Sequence, residues 1–177
     1  MATGKETPKY TGLRTYRDPG GRFEFRYPTG WHQFELADDR DGVMFSPQAQ
    51  DPETWFAAWA TSLQDIVTAE DLDLLHEGVE EGLWQLPGMS IESSKDDTIE
   101  NLCRFQRVYT FRENGAVRKR KVWMLYLYRW LFVLVAQGAS EEDFEFWSIM
   151  LNDFFSSFNL APELWFASDR ELGKDLD

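Results

Sequence analysis

The amino-acid sequence predicts an α+β domain, an α-β-α sandwich in which a mainly antiparallel central sheet carries one helix on each face. Three observations support this prediction. Most predicted strands are joined by connections short enough for antiparallel hairpins. Four strands separate the two predicted helices along the chain, so the helices can cover opposite faces of one sheet. The last two strands are apolar on both faces, as in strands that are buried between two layers.

The first half of the chain begins with alternating apolar and charged residues, RFEFRY. This two-residue period is typical of a half-buried strand. Pro28 cannot donate to a strand ladder and Gly30 tolerates a positive φ, so we expect a turn before Trp31 begins the next strand. The strands predicted in this half cover residues 22–27, 31–35, 43–45 and 54–63.

The first helix is predicted over residues 69–86 and ends at a Pro-Gly pair. Thr68 and Asp71 form a start signal, and acidic residues crowd the first turn. Gly78 and Gly82 weaken the helix by up to about 1 kcal/mol each relative to alanine, and we expect their small size to bring the helix close to the sheet. Its apolar stripe consists of Leu72, Leu75, Val79, Leu83 and Leu86.

The second half of the chain is predicted to form four more strands, over residues 90–98, 102–112, 117–128 and 131–137. Asn114-Gly115 is a strong signal for the hairpin that joins the middle pair. A second helix, residues 140–158, begins at Ser140 with acidic residues in its first turn. Its apolar stripe is wide enough to be clamped into the core or into a partner.

The turn Tyr27-Pro28-x-Gly30-Trp31 near the start of the domain resembles the PsbP-like group. That group includes the PsbP proteins of photosystems, the Mog-type Ran-binding proteins and the DcrB-like lipoproteins. The resemblance covers roughly residues 16–158 and extends to the order of the elements. It implies a sandwich fold and a non-catalytic protein-binding or assembly module, since PsbP proteins attach to a membrane complex and Mog-type proteins bind a small GTPase. The alternative is a helix-grip fold of the START type, which would place its short helices after the first strand.

The 177 residues fit one domain. We expect a flexible lead-in over residues 1–12, a single PsbP-like domain over 13–160 and a polar tail over 161–177. Hydrophobic residues make up 43% of the chain, which excludes disorder for most of it. The chain begins without the apolar core of a signal peptide, and its apolar runs are shorter than a membrane span. A soluble, cytoplasmic protein is therefore expected, although a chain stripped of an export signal would look the same.

Charge and cysteine content exclude several function classes. A net charge of −13 makes nucleic acid and anionic lipid unexpected partners. The single cysteine, Cys103, excludes an intrachain disulfide and a multi-cysteine zinc site, and its strand-like surroundings predict a buried, inert thiol.

No motif predicts catalysis or a cofactor. His76 and Glu80 share a helix face, but two ligands do not make a metal site. If Gly42 took the sixth position of an EF-hand loop, both essential acidic ligands would be missing. The chain lacks a nucleophile elbow, and its Gly20-Gly21 pair precedes a strand rather than a helix. We therefore predict no catalytic residue, no metal and no cofactor, and we expect that the protein is not an enzyme.

One local feature departs from the acidic composition. The hairpin around Asn114-Gly115 carries 7 of the 18 basic residues, namely Arg104, Arg107, Arg112, Arg118, Lys119, Arg120 and Lys121. We predict a docking patch for an acidic protein partner, formed by Arg112, Arg118, Lys119 and Arg120. The alternative is edge protection, aided by ion pairs with the acidic first helix. Because side chains alternate along a strand, at most half of these residues can face one partner.

A second function hypothesis is a carrier of a small apolar ligand. The 8 Trp and 14 Phe could line a helix-grip-like cavity between the sheet and the C-terminal helix. Tight packing of these rings would count against a carrier.

Overall fold

The computed structural model describes residues 7–171. Its strands are β1 (Leu13–Arg17), β2 (Phe23–Pro28), β3 (His32–Phe34), β4 (Asp41–Ser46), β5 (Trp55–Val67), β6 (Ser90–Ile99), β7 (Leu102–Glu113), β8 (Ala116–Gly138) and β9 (Asn159–Leu160). Its helices are α1 (Leu72–Leu83), α2 (Glu141–Phe146), α3 (Ser148–Ser157) and α4 (Pro162–Ser168), and a 3₁₀ turn (Ala69–Asp71) precedes α1. The strand pairings are antiparallel throughout, which confirms the predicted α+β class with an antiparallel sheet.

The strands form two sheets. The larger sheet has six strands in the order β3-β4-β5-β8-β7-β6, and the smaller sheet has three in the order β1-β2-β9. The hairpin predicted at Asn114-Gly115 joins β7 to β8, with Glu113 opposite Ala116. Because β7 lies between β8 and β6, this hairpin belongs to the interior of the larger sheet.

The long strand β8 doubles back on itself. Its first half pairs with β7 and its second half with β5. Arg120 and Gln137 form a side-chain hydrogen bond of 2.8 Å, whereas a straight strand would hold them about 55 Å apart. The reversal falls at Tyr128, whose φ of 54° is left-handed. The prediction of two strands in this region, folding back near Arg129-Trp130, is therefore confirmed in substance.

The larger sheet has an apolar core on each face. Phe56 and Ala58 of β5 belong to one core, whereas Trp55 and Trp59 contact the other. The helix α1 contributes Val79 and Leu83 to the second core, and among the helices of residues 7–171 it is the one that packs into that core. The first core is shared with the smaller sheet and with α2, α3 and α4. The prediction of one helix on each face is thus too simple, because a second sheet and three short helices cover the first face.

Aromatic rings fill the first core by direct contact. Phe154 of α3 stacks on Phe56 of β5 with ring centroids 4.3 Å apart, and the ring of Phe25 meets Phe154 edge-on at 5.0 Å. Trp31 also stacks on Phe56, at 5.0 Å. Such pairs contribute about 0.5–1.5 kcal/mol each beyond the burial of their surface. Much of the aromatic content is therefore used in packing this interior.

The Tyr27-Pro28-x-Gly30-Trp31 motif forms the tight turn at which the chain leaves the smaller sheet for the larger one. The Trp31 N–H donates to the Pro28 carbonyl at 3.0 Å. The buried Trp31 ring then packs between the two layers, against Phe56 and Trp147. The motif has a structural role, because it sets the position of β2 relative to β3.

The predicted C-terminal helix is two helices. Ser140 caps α2 as predicted, with its hydroxyl accepting from the Asp143 N–H at 3.0 Å. The backbone leaves helical geometry at Trp147, where φ is −92° and ψ is 5°. In α3, Met150 and Phe154 lie four residues apart on one face, and both are buried in the first core.

Both ends of the described chain hold more structure than predicted. The strand β1 pairs along one edge of β2, and the Tyr10 hydroxyl donates to the Ile149 carbonyl at 3.2 Å. In the segment predicted as a polar tail, α4 buries Leu164, and the Ser168 carbonyl accepts from the Asn101 N–H at 2.9 Å. Residues 1–6 of the predicted lead-in and 172–177 of the predicted tail lie outside the described residues. Among residues 7–171, the helices are too short or too polar to cross a membrane.

The first helix has the predicted start signal, but its two glycines do not have the predicted role. Thr68 and Asp71 form the reciprocal capping contacts, with the Thr68 N–H donating to the Asp71 carboxylate at 2.8 Å. Gly78 and Gly82 are exposed, and an added Cβ at either position would meet no atom within 4 Å. The expectation that they bring the helix close to the sheet is wrong, because they face away from it.

These two glycines give the first testable prediction. Gly78→Ala and Gly82→Ala should each raise the free energy of unfolding by about 0.5–1 kcal/mol, because alanine restricts the unfolded chain and meets open space here. Urea unfolding measures the change. Gly42→Ala is the matched control, since its Cβ would lie 2.1 Å from the Ala58 carbonyl oxygen. That variant should lose about 1–3 kcal/mol. Loss of stability in Gly78→Ala would contradict the exposed placement of this helix face.

Candidate partner-binding surface

The basic hairpin lies inside the larger sheet, so edge protection does not explain it. The edge strand nearest to the hairpin is β6, whose pairing with β7 shifts register between Ile91 and Ser93. A bulge of this kind and the charged Lys95 discourage pairing with another strand. The edge-protection alternative is therefore wrong, because the hairpin's basic residues lie one or two strands away from that edge.

Arg118, one of the four predicted docking residues, is buried by the protein itself. It is 7% exposed. Its Nη1 donates to the Ala139 carbonyl at 2.8 Å, and its Nη2 donates to Glu53 at 3.0 Å. Its Nε lies 3.4 Å from a Glu113 carboxylate oxygen. These contacts join the hairpin tip to the loop before β5 and to the segment before α2.

The other three predicted residues differ in their surroundings. Arg120 donates to Gln137 at 2.8 Å and lies over the ring of Phe111. The ammonium group of Lys119 lies 3.0 Å from Glu92 and 3.6 Å from Glu145. Burial alone would lower the pKa of Lys119, but these two carboxylates outweigh it and raise the pKa. Arg112 is exposed, and its backbone N–H donates to the Pro87 carbonyl at 2.8 Å.

The structure thus brings two of the four residues to one surface cavity. It has a volume of about 330 Å³, and its lining includes Arg118 and Arg120 together with Asp51, Glu53 and Glu113. Three carboxylates outnumber the two guanidinium groups, so the cavity is not a basic patch. Lys119 points to the opposite face of the sheet, as the alternation of side chains predicts. The assignment of the four residues to a partner stays a prediction.

A second basic residue of the hairpin region, Arg107 on β7, is the most buried charged residue of the described chain. It is 1% exposed. Its Nε and Nη2 donate to one oxygen of Glu80 on α1, at 3.0 and 2.8 Å, and its Nη1 donates to Asp96 on β6. His76 Nδ1 lies 2.5 Å from the other Asp96 oxygen. This cluster is the ion pairing with the acidic first helix that the sequence suggested.

The cluster determines the ionisation of Asp96. Burial alone would raise the pKa of this carboxyl, but hydrogen bonds from Arg107 and His76 outweigh the burial and lower the pKa. A carboxyl with a lowered folded-state pKa stabilises the fold at pH values above its unfolded pKa. This stabilisation is lost as the pH falls through the folded pKa.

The remaining residues that could take part in catalysis or metal binding lie in different parts of the fold. His32 is on β3 at one edge of the larger sheet, whereas His76 is on α1, which contacts β6 and β7 at the other edge. Cys103 is buried as predicted, its thiol donates to the Thr68 carbonyl, and burial raises its pKa to about 11. Within residues 7–171, no three His, Cys, Asp or Glu side chains are grouped closely enough to hold a metal ion.

The sequence pattern identified the inward stripe of α1 correctly but missed two residues on its outward side. Val79 and Leu83 are buried as predicted, and Glu77 and Glu81 are exposed, as expected of a solvated acidic face. Leu74 and Trp84 are also exposed. Their positions outside the predicted stripe were the available signal, because a large apolar residue off the stripe must face solvent or a partner.

Solved structures share this fold. Cyanobacterial PsbP (CyanoP) from Synechocystis sp. PCC 6803 matches with a TM-score of 0.60 at 15% identity, over 86% of this chain and 94% of that one. LpqN, involved in cell envelope biogenesis of Mycobacterium tuberculosis, matches at 0.58 and 17%, over 85% and 92%. The Ran-binding protein Mog1p of Saccharomyces cerevisiae matches at 0.51 and 10%, over 91% and 98%. No protein-family model and no curated protein sequence matches the chain. The resemblance to PsbP-like and Mog-type proteins is therefore confirmed at the level of fold.

The Arg107 cluster predicts a specific acid response. Asp96→Asn should lower the free energy of unfolding at neutral pH, because it removes the carboxylate that faces Arg107 and His76. It should also flatten the loss of stability that wild type shows as the pH falls from the unfolded-state pKa of an aspartate, about 3.9, towards the lowered folded-state pKa of Asp96. Urea unfolding across the acid range measures both effects. Asp73→Asn is the matched control, because Asp73 is an exposed carboxylate on α1 that lies outside the Arg107 cluster. An equal loss of stability at acid pH in wild type and Asp96→Asn would contradict the role of the cluster.

Proposed function

We propose that this chain is a non-catalytic protein-binding or assembly module. The observation that carries the proposal is the closed interior, in which the rings of the first core contact one another and the buried Arg107 and Arg118 have carboxylate partners. Because these interior groups already have partners within the protein, another molecule would bind at the outer surface. The fold likeness to Mog1p, which is described as a Ran-binding protein, supports the same reading.

The absence of catalysis is part of this proposal. Arg107, the most buried charged residue of the described chain, is engaged in internal ion pairs with Glu80 and Asp96. With a pKa of about 11, the Cys103 thiol is protonated at neutral pH, so it is a poor nucleophile. These properties favour binding over chemistry and call for no cofactor.

A carrier of a small apolar ligand is the second candidate, and the packing gives it less support. The rings between the sheet and α3 are in stacking contact, as for Phe56 and Phe154. A cavity of about 430 Å³ near β2 is lined in part by Arg17, Asp18 and Glu24, so its wall is not apolar. A small molecule that co-purifies with the protein in native mass spectrometry would favour the carrier.

A cytoplasmic location is part of the same proposal. Cys103 is a free thiol, so the fold needs no oxidising compartment. Fractionation of cells of the native host tests this location, and recovery of the protein from an exported or membrane fraction would contradict it.

The proposed function predicts a defined complex. Cross-linking in cells of the native host, followed by size separation, should place the wild-type chain in a discrete species larger than the chain alone. The species should contain a second protein, because the proposal assigns the protein's role to binding. Recovery of the uncomplexed chain alone would contradict the proposal.

The same measurement tests the hairpin residues. Arg112 is the accessible member of the four, so Arg112→Glu reverses a charge without exposing a buried group. We expect the complex to persist, because Arg118, Lys119 and Arg120 have internal partners. Arg129→Glu, at the point next to Tyr128 where β8 folds back, is the matched control, because Arg129 is also exposed. Loss of the complex in Arg112→Glu alone would assign the partner to the hairpin.

A further inference from the structure

The outward face of α1 presents two large apolar side chains to solvent. Leu74 is 71% exposed and Trp84 is 60% exposed. At 100° per residue, Leu74, Glu77, Glu81 and Trp84 lie within an arc of about 80°, and the two apolar ends are about 15 Å apart along the axis. This line of side chains points away from the buried Val79 and its stripe.

The Trp84 ring is held in place although it is exposed. Its Nε1 donates to Glu80 at 3.1 Å, and the other Glu80 oxygen accepts from the buried Arg107. The only polar atom of the indole is thus satisfied within the protein, and an apolar ring faces outward in a fixed position. Fixed, exposed aromatic rings of this kind are typical anchors of protein–protein interfaces.

The stretch of chain that carries these two anchors has one sign of charge. Residues 41–94 contain eleven Asp and Glu and no Lys or Arg, so this stretch accounts for −11 of the net charge of −13. On α1, Asp73, Glu77 and Glu81 are exposed, and none of them forms an ion pair with another described residue. By contrast, most basic side chains of the hairpin form ion pairs or hydrogen bonds within the protein.

Resting on the proposed function, we propose that the α1 outward face (Leu74, Glu77, Glu81 and Trp84) docks a segment of a partner protein that carries Lys or Arg between two apolar anchors. Charge complementarity selects this occupant. A second copy of this chain is also strongly acidic, so the two copies would repel each other, and nucleic acid and anionic lipid are repelled for the same reason. The bare helix surface at Gly78 and Gly82 leaves room beside the line for the side chains of the segment.

The full chain can be tested with a fluorescently labelled amphipathic peptide of lysine and leucine, followed by anisotropy. Glu77→Lys/Glu81→Lys should weaken binding about tenfold or more, because two attractions become repulsions. Leu74→Ser should weaken it about fivefold through loss of an anchor. Glu141→Lys/Glu142→Lys is the matched control, since it makes the same charge change at exposed positions of α2. It should change the affinity by less than about twofold.

Two outcomes overturn the inference. The first is failure of the wild-type chain to bind the peptide. The second is equal weakening in the α1 and α2 charge variants, which would mean attraction to the overall charge and not to this face. Thermal unfolding of each variant verifies that the fold is retained, and the surface positions of all five substitutions make unfolding unexpected.

Cross-linking of the same variants in the native host separates this inference from the proposed function. A complex that forms with wild type and with Glu141→Lys/Glu142→Lys, but not with Glu77→Lys/Glu81→Lys, supports both. A complex that forms equally with all three overturns the α1 docking face and leaves the binding module intact. Absence of a complex with every chain, wild type included, contradicts the binding module itself.

Discussion

The buried guanidinium of Arg107 is the interaction on which the α1 layer depends. As an isolated segment α1 is a weak helix, because it has 12 residues, two exposed glycines and acidic residues in its last turn, where the helix dipole disfavours them. Arg107 neutralises Glu80 in that turn and binds Asp96 on the sheet. Because Glu80 also holds the Trp84 indole, one buried charge connects the sheet, the helix and the outward surface.

The sequence predicted the helices, strands and turns that depend on residues close together in the chain. The alternating residues of β2, the Thr68 and Ser140 caps and the Asn114-Gly115 hairpin all depend on neighbours within a few residues. It did not predict the second sheet, because β1 (Leu13–Arg17) is largely exposed and shows little alternation. Nor did it predict the break at Trp147, because the wide apolar stripe of residues 140–158 is compatible with one helix or two.

The candidate site was harder to predict because its partners are distant in sequence. Basic residues close together in the chain suggested a docking patch, yet Arg118 meets Glu53, which is 65 residues away, and Arg107 meets Glu80 across 27 residues. Whether a charge is free or engaged depends on such tertiary contacts, and composition does not show them. In the folded protein most basic residues of the hairpin are engaged internally. The acidic α1 outward face is the surface on which exposed charges lie beside the ring of Trp84.

Amide hydrogen exchange in Arg107→Met tests the role of the buried guanidinium most directly. Arg104→Met is its matched control, because Arg104 lies on the same strand and binds Asp97 on β6, but from the opposite face. We predict that α1 amides exchange at least about tenfold faster in Arg107→Met, while those of β5 and α3 keep their protection, since local opening of one layer leaves the aromatic core closed. Unchanged protection of α1 in Arg107→Met, or equal loss in Arg104→Met, would contradict this account.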